Sequence, residues 1–289
     1  MSLLGIGARV AILLALFAAL APLVFLAGRR GWPLAGTVPV LFHRAVLRLF
    51  GVRVMVRGSA PGATPTLVLS NHVSWLDIPV IGSLRPISFV AKSEIASWPV
   101  FGLCASLQRS VFIDRARRAA TAEANAAVAH RLAKGEAIVL FAEGTTGDGN
   151  RLLPFRSSLV GAARTALADP GVERIDLQPL ALAYTRRNGI PVTRRERPAI
   201  AWYGDMDLVP HLLALLRGGP IDVAATWGEP IPFDASTDRK RATALAEAAV
   251  RTALVATAPG TPASAPARPP ATEPAGSTAE PAVARTMSQ

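Results

Sequence analysis

A histidine with a carboxylate five residues further on is a pattern that can move a proton. The stretch Asn71-His72-Val73-Ser74-Trp75-Leu76-Asp77 follows TLVLS at 66–70. The first 93 residues hold nine Lys or Arg but a single acid, Asp77. A histidine acting as general base needs a pKa near working pH and a fixed tautomer. A carboxylate bonded to one ring nitrogen supplies the orientation and stabilises the imidazolium. On an ideal helix, positions five apart are separated by about 140°, so the two side chains would not share a face. The pair works if His72 sits in a turn and Asp77 begins the next helix. Pro79 agrees, because proline is tolerated in a first turn. The competing reading is a capping box between Ser74 and Asp77, with His72 a satisfied core histidine. No nucleophile lies near the pair, so a His-Asp site here would use a hydroxyl brought by the substrate.

The elements around this stretch alternate. TLVLS (66–70), ISFVA (87–91), SVFI (110–113), AIVLF (137–141), LQPLALAY (177–184) and IDVAATW (221–227) read as short buried strands rich in Val, Ile and Leu. Residues 115–135 read as a helix ended by Gly135, with further helices at 157–168, 205–217 and 238–256. Strands alternating with helices predict an α/β domain with a covered central sheet over residues 51–257. Functional residues are then expected on the loops that follow strands.

The ends differ in character from this middle. Residues 10–27, VAILLALFAALAPLVFLA, carry no charge and are flanked by Arg9, Arg29 and Arg30. About 20 apolar residues cross a bilayer, so the run reads as a retained anchor at the lower limit of length, with Pro22 kinking or breaking it. A cleaved signal peptide is the alternative, but GRRGWPL is a poor cleavage site. Residues 37–50 carry Arg44 and Arg48 at helical spacing and read as an amphipathic helix on a membrane surface. Residues 1–50 therefore form a membrane-anchoring unit. More basic residues follow the anchor than precede it, which predicts a catalytic domain on the cytoplasmic face of the cell's inner membrane. Residues 258–289 are mostly Ala, Pro, Thr, Ser and Glu without periodicity, and are expected to be disordered.

The chain has 289 residues, with Lys+Arg 31 against Asp+Glu 20 and a net charge of +11. An apolar fraction of 51% with that charge points to an anionic partner, membrane lipids first. One cysteine, Cys104, excludes an internal disulfide framework and reads as a buried apolar residue. With only four scattered histidines, no metal is expected. Nucleic-acid binding has charge alone in its favour, and two tyrosines offer little for base stacking, so no nucleic acid is expected as partner.

Four motifs occur in order, each after an expected strand: Asn71-His72 to Asp77, Phe112 to Arg115, Phe141-Ala142-Glu143-Gly144-Thr145, and Gln178-Pro179. Together, over roughly residues 50–230, they resemble the 1-acylglycerol-3-phosphate acyltransferase family, the lysophospholipid acyltransferases. The resemblance implies a glycerolipid-acyltransferase-like α/β fold and transfer of a fatty acyl group from acyl-CoA or acyl-carrier protein to the free hydroxyl of a lysolipid. It implies His72 as base and Asp77 as its orienting partner, with direct attack on the thioester, no acyl-enzyme, no cofactor beyond the donor substrate and no metal. Asn71, Arg115, Glu143, Gly144, Thr145 and Arg156 are substrate-binding candidates on this resemblance, joined by Thr146 at a position that departs from it and by Lys92, whose charge could pair with phosphate or with Glu94. Guanidinium groups suit the phosphates of donor and acceptor. Gly144 permits an unusual dihedral or close backbone approach.

Two positions depart from the family pattern. Its third motif commonly runs FPEGTR, with the arginine on an acceptor phosphate; here Ala142 replaces the proline and Thr146 the arginine, followed by Gly147-Asp148-Gly149. Arg151 or Arg156 could restore the charge. An EGTTGDGN loop resembles the branch that acylates lyso-ornithine lipid, whose headgroup has no phosphate, and Asp148 would then meet the ornithine ammonium or simply serve a turn. The motifs leave lysophosphatidic acid and lyso-ornithine lipid both open as acceptor. A non-catalytic membrane scaffold would not need His72, Asp77 and Glu143 together, and a hydrolase would need a nucleophile for which no G-x-S-x-G elbow is present. The arginines at 186, 187, 194, 195 and 197 are expected to meet anionic lipid.

Overall fold

The structure, a computed structural model, describes residues 3–114, 118–169 and 171–257. Arg115 and the tail at 258–289 lie outside the described residues. Two N-terminal helices, α1 (Leu3–Arg30) and α2 (Leu34–Phe50), precede an α/β domain. Its elements are β1 (Val52–Arg57), β2 (Thr66–Ser70), α3 (Asp77–Gly82), β3 (Ser88–Lys92), α4 (Phe101–Leu107), β4 (Val111–Ile113), α5 (Arg118–Ala133), β5 (Ala137–Phe141), α6 (Gly161–Ala166), β6 (Ile175–Arg187), β7 (Ile190–Pro191), α7 (Leu208–Arg217), β8 (Ile221–Trp227), β9 (Ile231–Phe233) and α8 (Arg239–Ala256).

The sheet runs β1-β8-β6-β2-β5-β3-β4, with β7 and β9 also pairing β6. Neighbours from β6 through β4 are parallel, as are β1 and β8, while β6 and β8 are antiparallel. Parallel strands are connected by helices that cover both faces, so each strand alternates between two cores. Leu67, Leu69, Ile138, Leu140 and Leu177 face a core shared with α5, α6 and α8. Val68, Val139, Phe141, Leu180 and Val223 face the other, with α2, α3 and α7. The expected strands all occur, three of them at slightly shifted ends, and the 205–217 helix starts at Leu208.

Several elements differ from the sequence reading, which did not name the short strands β7 and β9. β1 was not expected, because its VRVMVR alternates with arginine instead of forming an apolar run; as an edge strand it buries only Val52. α4 is too short for a periodic signal. α1 continues through Pro22 to Arg30, so the proline does not break the helix. Among the described residues α1 is the one helix long and apolar enough to cross a membrane. It packs along α2, with Phe17 and Phe42 5.9 Å apart between ring centroids. At its start Ile6 is buried among Leu47, Phe50 and Leu215, and Arg9 Nη1 donates to the Leu49 carbonyl at 2.8 Å.

Candidate active site

The C-terminal ends of β2 and β5 lie side by side, in register from Thr66 opposite Ala137 to Ser70 opposite Phe141. The loops that follow them therefore meet, as expected at the carboxyl edge of a parallel sheet. After β2, Asn71 extends the ladder by side chain. Its Nδ2 donates to the Leu182 carbonyl at 3.0 Å and its Oδ1 accepts from the Leu182 amide at 2.8 Å. Both ends of the amide are thus committed to β6, which fixes the strand exit from which His72 projects.

The His72 ring stacks on Phe141, 3.7 Å between centroids at 10°. Its Nδ1 lies 2.8 Å from Asp77 Oδ2. Asp77 is the first residue of α3 and is fully buried. The same Oδ2 accepts the amides of Val73 at 2.7 Å and Ser74 at 2.9 Å. The other oxygen, Oδ1, accepts the Tyr184 hydroxyl at 2.6 Å. A carboxylate surrounded by donors holds the Nδ1–H tautomer, so Nε2 presents its lone pair. The His72 side chain retains 19% exposure, enough for a substrate hydroxyl to reach it. The capping alternative is half realised: Asp77 reaches back to the Ser74 amide, but Ser74 Oγ has no partner. The carboxylate that gathers the amides of Val73 and Ser74 ahead of α3 is also the one that orients the imidazole.

Tyr184 was legible only as a strand residue. Burial and the negative charge of Asp77 push its hydroxyl well above the ordinary value, so it acts as a donor. It stands 107 positions from Asp77, and only the pairing of β6 beside β2 brings the two together.

Glu143 follows β5 and is buried. Its Oε1 accepts the His72 amide at 3.2 Å, and the Leu153 amide bonds it as well. Burial raises this carboxyl from 4.5 to about 8, and the charges of Asp77 and Glu247 push the same way. Glu143 thus ties the His72 loop to the loop that follows β5. The amide of Gly147 adds a bond to the His72 carbonyl at 2.9 Å. Gly144 has φ +76, and a Cβ there would lie 3.2 Å from Arg156 Cδ, so both the turn and the packing favour glycine.

Thr145 is exposed and Thr146 half-buried on this loop. Asp148 accepts the Asn150 amide at 2.9 Å, the turn role weighed above. Arg156 lies on the far side of Gly144, lining a cavity of about 180 Å³ with Leu67, Val90 and Leu140. Lys92 stands exposed at the end of β3 with no bond to Glu94. Gln178, in the fourth motif, donates from Nε2 to the Gly228 carbonyl and is buried. Cys104 is half-buried, not fully buried as expected, and burial pushes its thiol up to about 11, which disfavours the thiolate. Two further histidines are structural: His43 bonds Gln108 and His211 accepts from Trp75 Nε1, and burial lowers both.

The arginines expected to form one lipid-contacting cluster separate. Arg187, the last residue of β6, bonds the Gly218 carbonyl. Arg194 and Arg197 instead join Arg151 and Arg251 around a cleft of about 420 Å³ that also touches Asn71, Val73, Glu143 and Tyr184.

Residues 52–183 match the family model described as Acyltransferase. The lyso-ornithine lipid O-acyltransferase of Brucella abortus is 47% identical over 247 residues, covering 85% of this chain and 92% of that protein. The 1-acyl-sn-glycerol-3-phosphate acyltransferase of Neisseria meningitidis is 36% identical over 162 residues, 56% of this chain and 60% of that protein. Among solved structures, the 1-acyl-sn-glycerophosphate acyltransferase of Thermotoga maritima superposes with a TM-score of 0.58 at 15% identity, covering 86% of this chain and 96% of that one, and so shares the fold.

Proposed function

We propose that this chain, which belongs to the acyltransferase family and is a lysolipid acyltransferase, takes lyso-ornithine lipid as its acceptor and an acyl thioester, acyl-CoA or acyl-carrier protein, as its donor. The observation that carries the acceptor is the likeness to the Brucella enzyme, which runs over nearly the whole of that protein. Thr146 supports it: a hydroxyl stands where phosphate-binding relatives commonly have a guanidinium, and a headgroup without phosphate does not need one.

In the reaction we propose, His72 Nε2 takes the proton from the acceptor hydroxyl as its oxygen attacks the thioester carbonyl carbon. Asp77 holds the Nδ1–H and stabilises the imidazolium that forms. The C–S bond then breaks, and the imidazolium returns the proton to the departing thiolate. The products are an ester and a free thiol, with no covalent enzyme intermediate.

The membrane-facing element in this reading is the α1–α2 hairpin. α1 leaves Leu14 and Phe25 exposed on one side and Leu23 and Leu26 exposed on others, and ends at Arg29 and Arg30, with Trp32 just beyond. Apolar side chains bordered by arginine and tryptophan suit a helix buried in lipid with its end at the headgroups. Because α1 is held in place by Ile6 and Arg9 at its start and by buried Val24 and Ala27 near its end, it lies along the bilayer surface instead of standing across it.

The test is acyl transfer by purified protein, offered labelled acyl-CoA or acyl-carrier protein with lyso-ornithine lipid and lysophosphatidic acid in parallel. Product from lyso-ornithine lipid alone is expected. Product from lysophosphatidic acid alone rejects the acceptor, and no product from either rejects the reaction.

A further inference from the structure

We propose that the cleft bounded by Arg151, Arg194, Arg197 and Arg251 binds the carboxylate of the acceptor headgroup. The inference rests on the lyso-ornithine lipid reading and gives that substrate a site. The cleft has a volume of about 420 Å³, within the range of small-molecule pockets. It shares Asn71, Val73 and Glu143 with the loops around His72, so a headgroup held there stays beside the reacting hydroxyl.

The charge of the cleft is one-sided. Arg151 and Arg194 make no hydrogen bond or ion pair among the described residues. Arg197 reaches only the Gly149 carbonyl, at 3.4 Å. Arg251 alone has a carboxylate partner, Glu247, at 2.6 Å. Glu143 is the one acid lining the cleft, and its raised carboxyl is mostly protonated at neutral pH, so it does not offset the guanidiniums. The two unpaired guanidiniums of Arg151 and Arg194 in such a recess are a site for an oxyanion, and a planar carboxylate can accept two bonds from one of them.

Three separate segments supply these arginines: the loop after β5, the turn after β7, and α8. They stand 43 and 54 residues or more apart, taking Arg151 to Arg194 and Arg197 to Arg251, and converge only through the fold. Phosphates of a thioester donor are the other oxyanions available to such a cleft, and the experiment separates the two.

Full-length protein in mixed micelles is assayed with lyso-ornithine lipid and with its methyl ester, which lacks the negative charge. Wild type is expected to show a KM for the acid about tenfold or more below that for the ester, the worth of one charge-assisted pair. In Arg151→Gln/Arg194→Gln the KM for the acid should rise about tenfold, to that of the ester, with the donor KM unchanged. Both arginines are exposed and make no bonds, and an unchanged thermal melt checks that the variant is folded. Equal KM values for acid and ester in wild type overturn the cleft while leaving the acceptor intact. So does a rise in donor KM with the acceptor KM unmoved, which gives the cleft to donor phosphates. Failure of wild type to acylate either acid or ester, with turnover of lysophosphatidic acid, overturns the acceptor reading and the carboxylate together.

Discussion

The Tyr184 hydroxyl donates to Asp77 Oδ1 at 2.6 Å, while the other oxygen of the same carboxylate holds His72 Nδ1. Asp77 is fully buried, so each oxygen depends on protein donors for its solvation. Tyr184→Phe removes one donor and leaves Oδ1 with less compensation. The negative charge then bears more strongly on the imidazolium, and the acid limb of the kcat/KM profile should move to higher pH. We expect kcat to fall about tenfold at neutral pH, from the loss of a buried bond to a charged group. A purely structural role predicts a lower melting temperature with the pH profile unmoved, and that outcome would sink the positioning role.

His72→Ala should reduce turnover about 100-fold or more, because no neighbouring group can take the hydroxyl proton in its place. Asp77→Asn should lower turnover too, since an amide cannot stabilise the imidazolium. Steady-state rates on the preferred acceptor decide both. Near-normal turnover by His72→Ala would reject the base assignment.

Glu143 makes stability depend on pH in a defined direction. Its carboxyl is raised from 4.5 to about 8 in the folded chain, chiefly by burial. Between those values the native state holds a proton that the unfolded chain releases, so this contribution is complete below about pH 4.5 and is lost as pH rises through about 8. Glu143→Gln keeps an oxygen for the His72 amide and has no proton to lose. Relative to wild type the variant should gain stability from pH 5 to 8, with a ceiling of about 5 kcal/mol. Denaturant unfolding at several pH values measures it. Parallel curves for the two proteins would mean that the carboxyl is not raised.

Local chemistry was legible where it was carried by neighbours in sequence. The turn position of His72, the helix start at Asp77 and the strand before Glu143 all follow from short patterns of type and spacing. What escaped was set by pairing across the sheet. Tyr184 looked like any inward strand residue until β6 was placed beside β2. Arg194 and Arg187 looked like one basic run, yet beyond the turn at Gly189 only Arg194 lines the cleft, while Arg187 bonds the Gly218 carbonyl. β1 escaped for another reason: Val52, Val54 and Val56 alternate as strand residues do, but Arg53 and Arg57 interrupt the continuous apolar run that marks the buried strands.

Thr146→Arg tests the acceptor loop. The residue is half-buried between Gly144 and Gly147, next to the bridge from Glu143 to His72. A guanidinium there should raise activity on lysophosphatidic acid relative to lyso-ornithine lipid, by about tenfold if it gains one charge-assisted bond to phosphate. The ratio of the two kcat/KM values reads this out, and an unchanged ratio would remove position 146 from acceptor selection.

The last prediction separates anchoring from folding. Ile6 at the start of α1 is part of the domain's own core, beside Leu47, Phe50 and Leu215. Deleting residues 1–36 should therefore do two things at once: release the protein toward the soluble fraction, and lower its melting temperature by exposing that core. The deletion alone cannot attribute membrane binding to α1. Leu14 and Phe25 are 50% and 55% exposed and, eleven residues apart, lie within about 20° of one another on the helix. Leu14→Glu/Phe25→Glu places charge on the outer face without touching the core. This variant should bind anionic vesicles about tenfold more weakly or worse, since two large apolar side chains no longer enter the interface. Its melting temperature in detergent should match wild type. Undiminished vesicle binding would move the membrane contact away from α1. Weakened binding together with a lowered melting temperature would mean that this face packs against protein and not lipid.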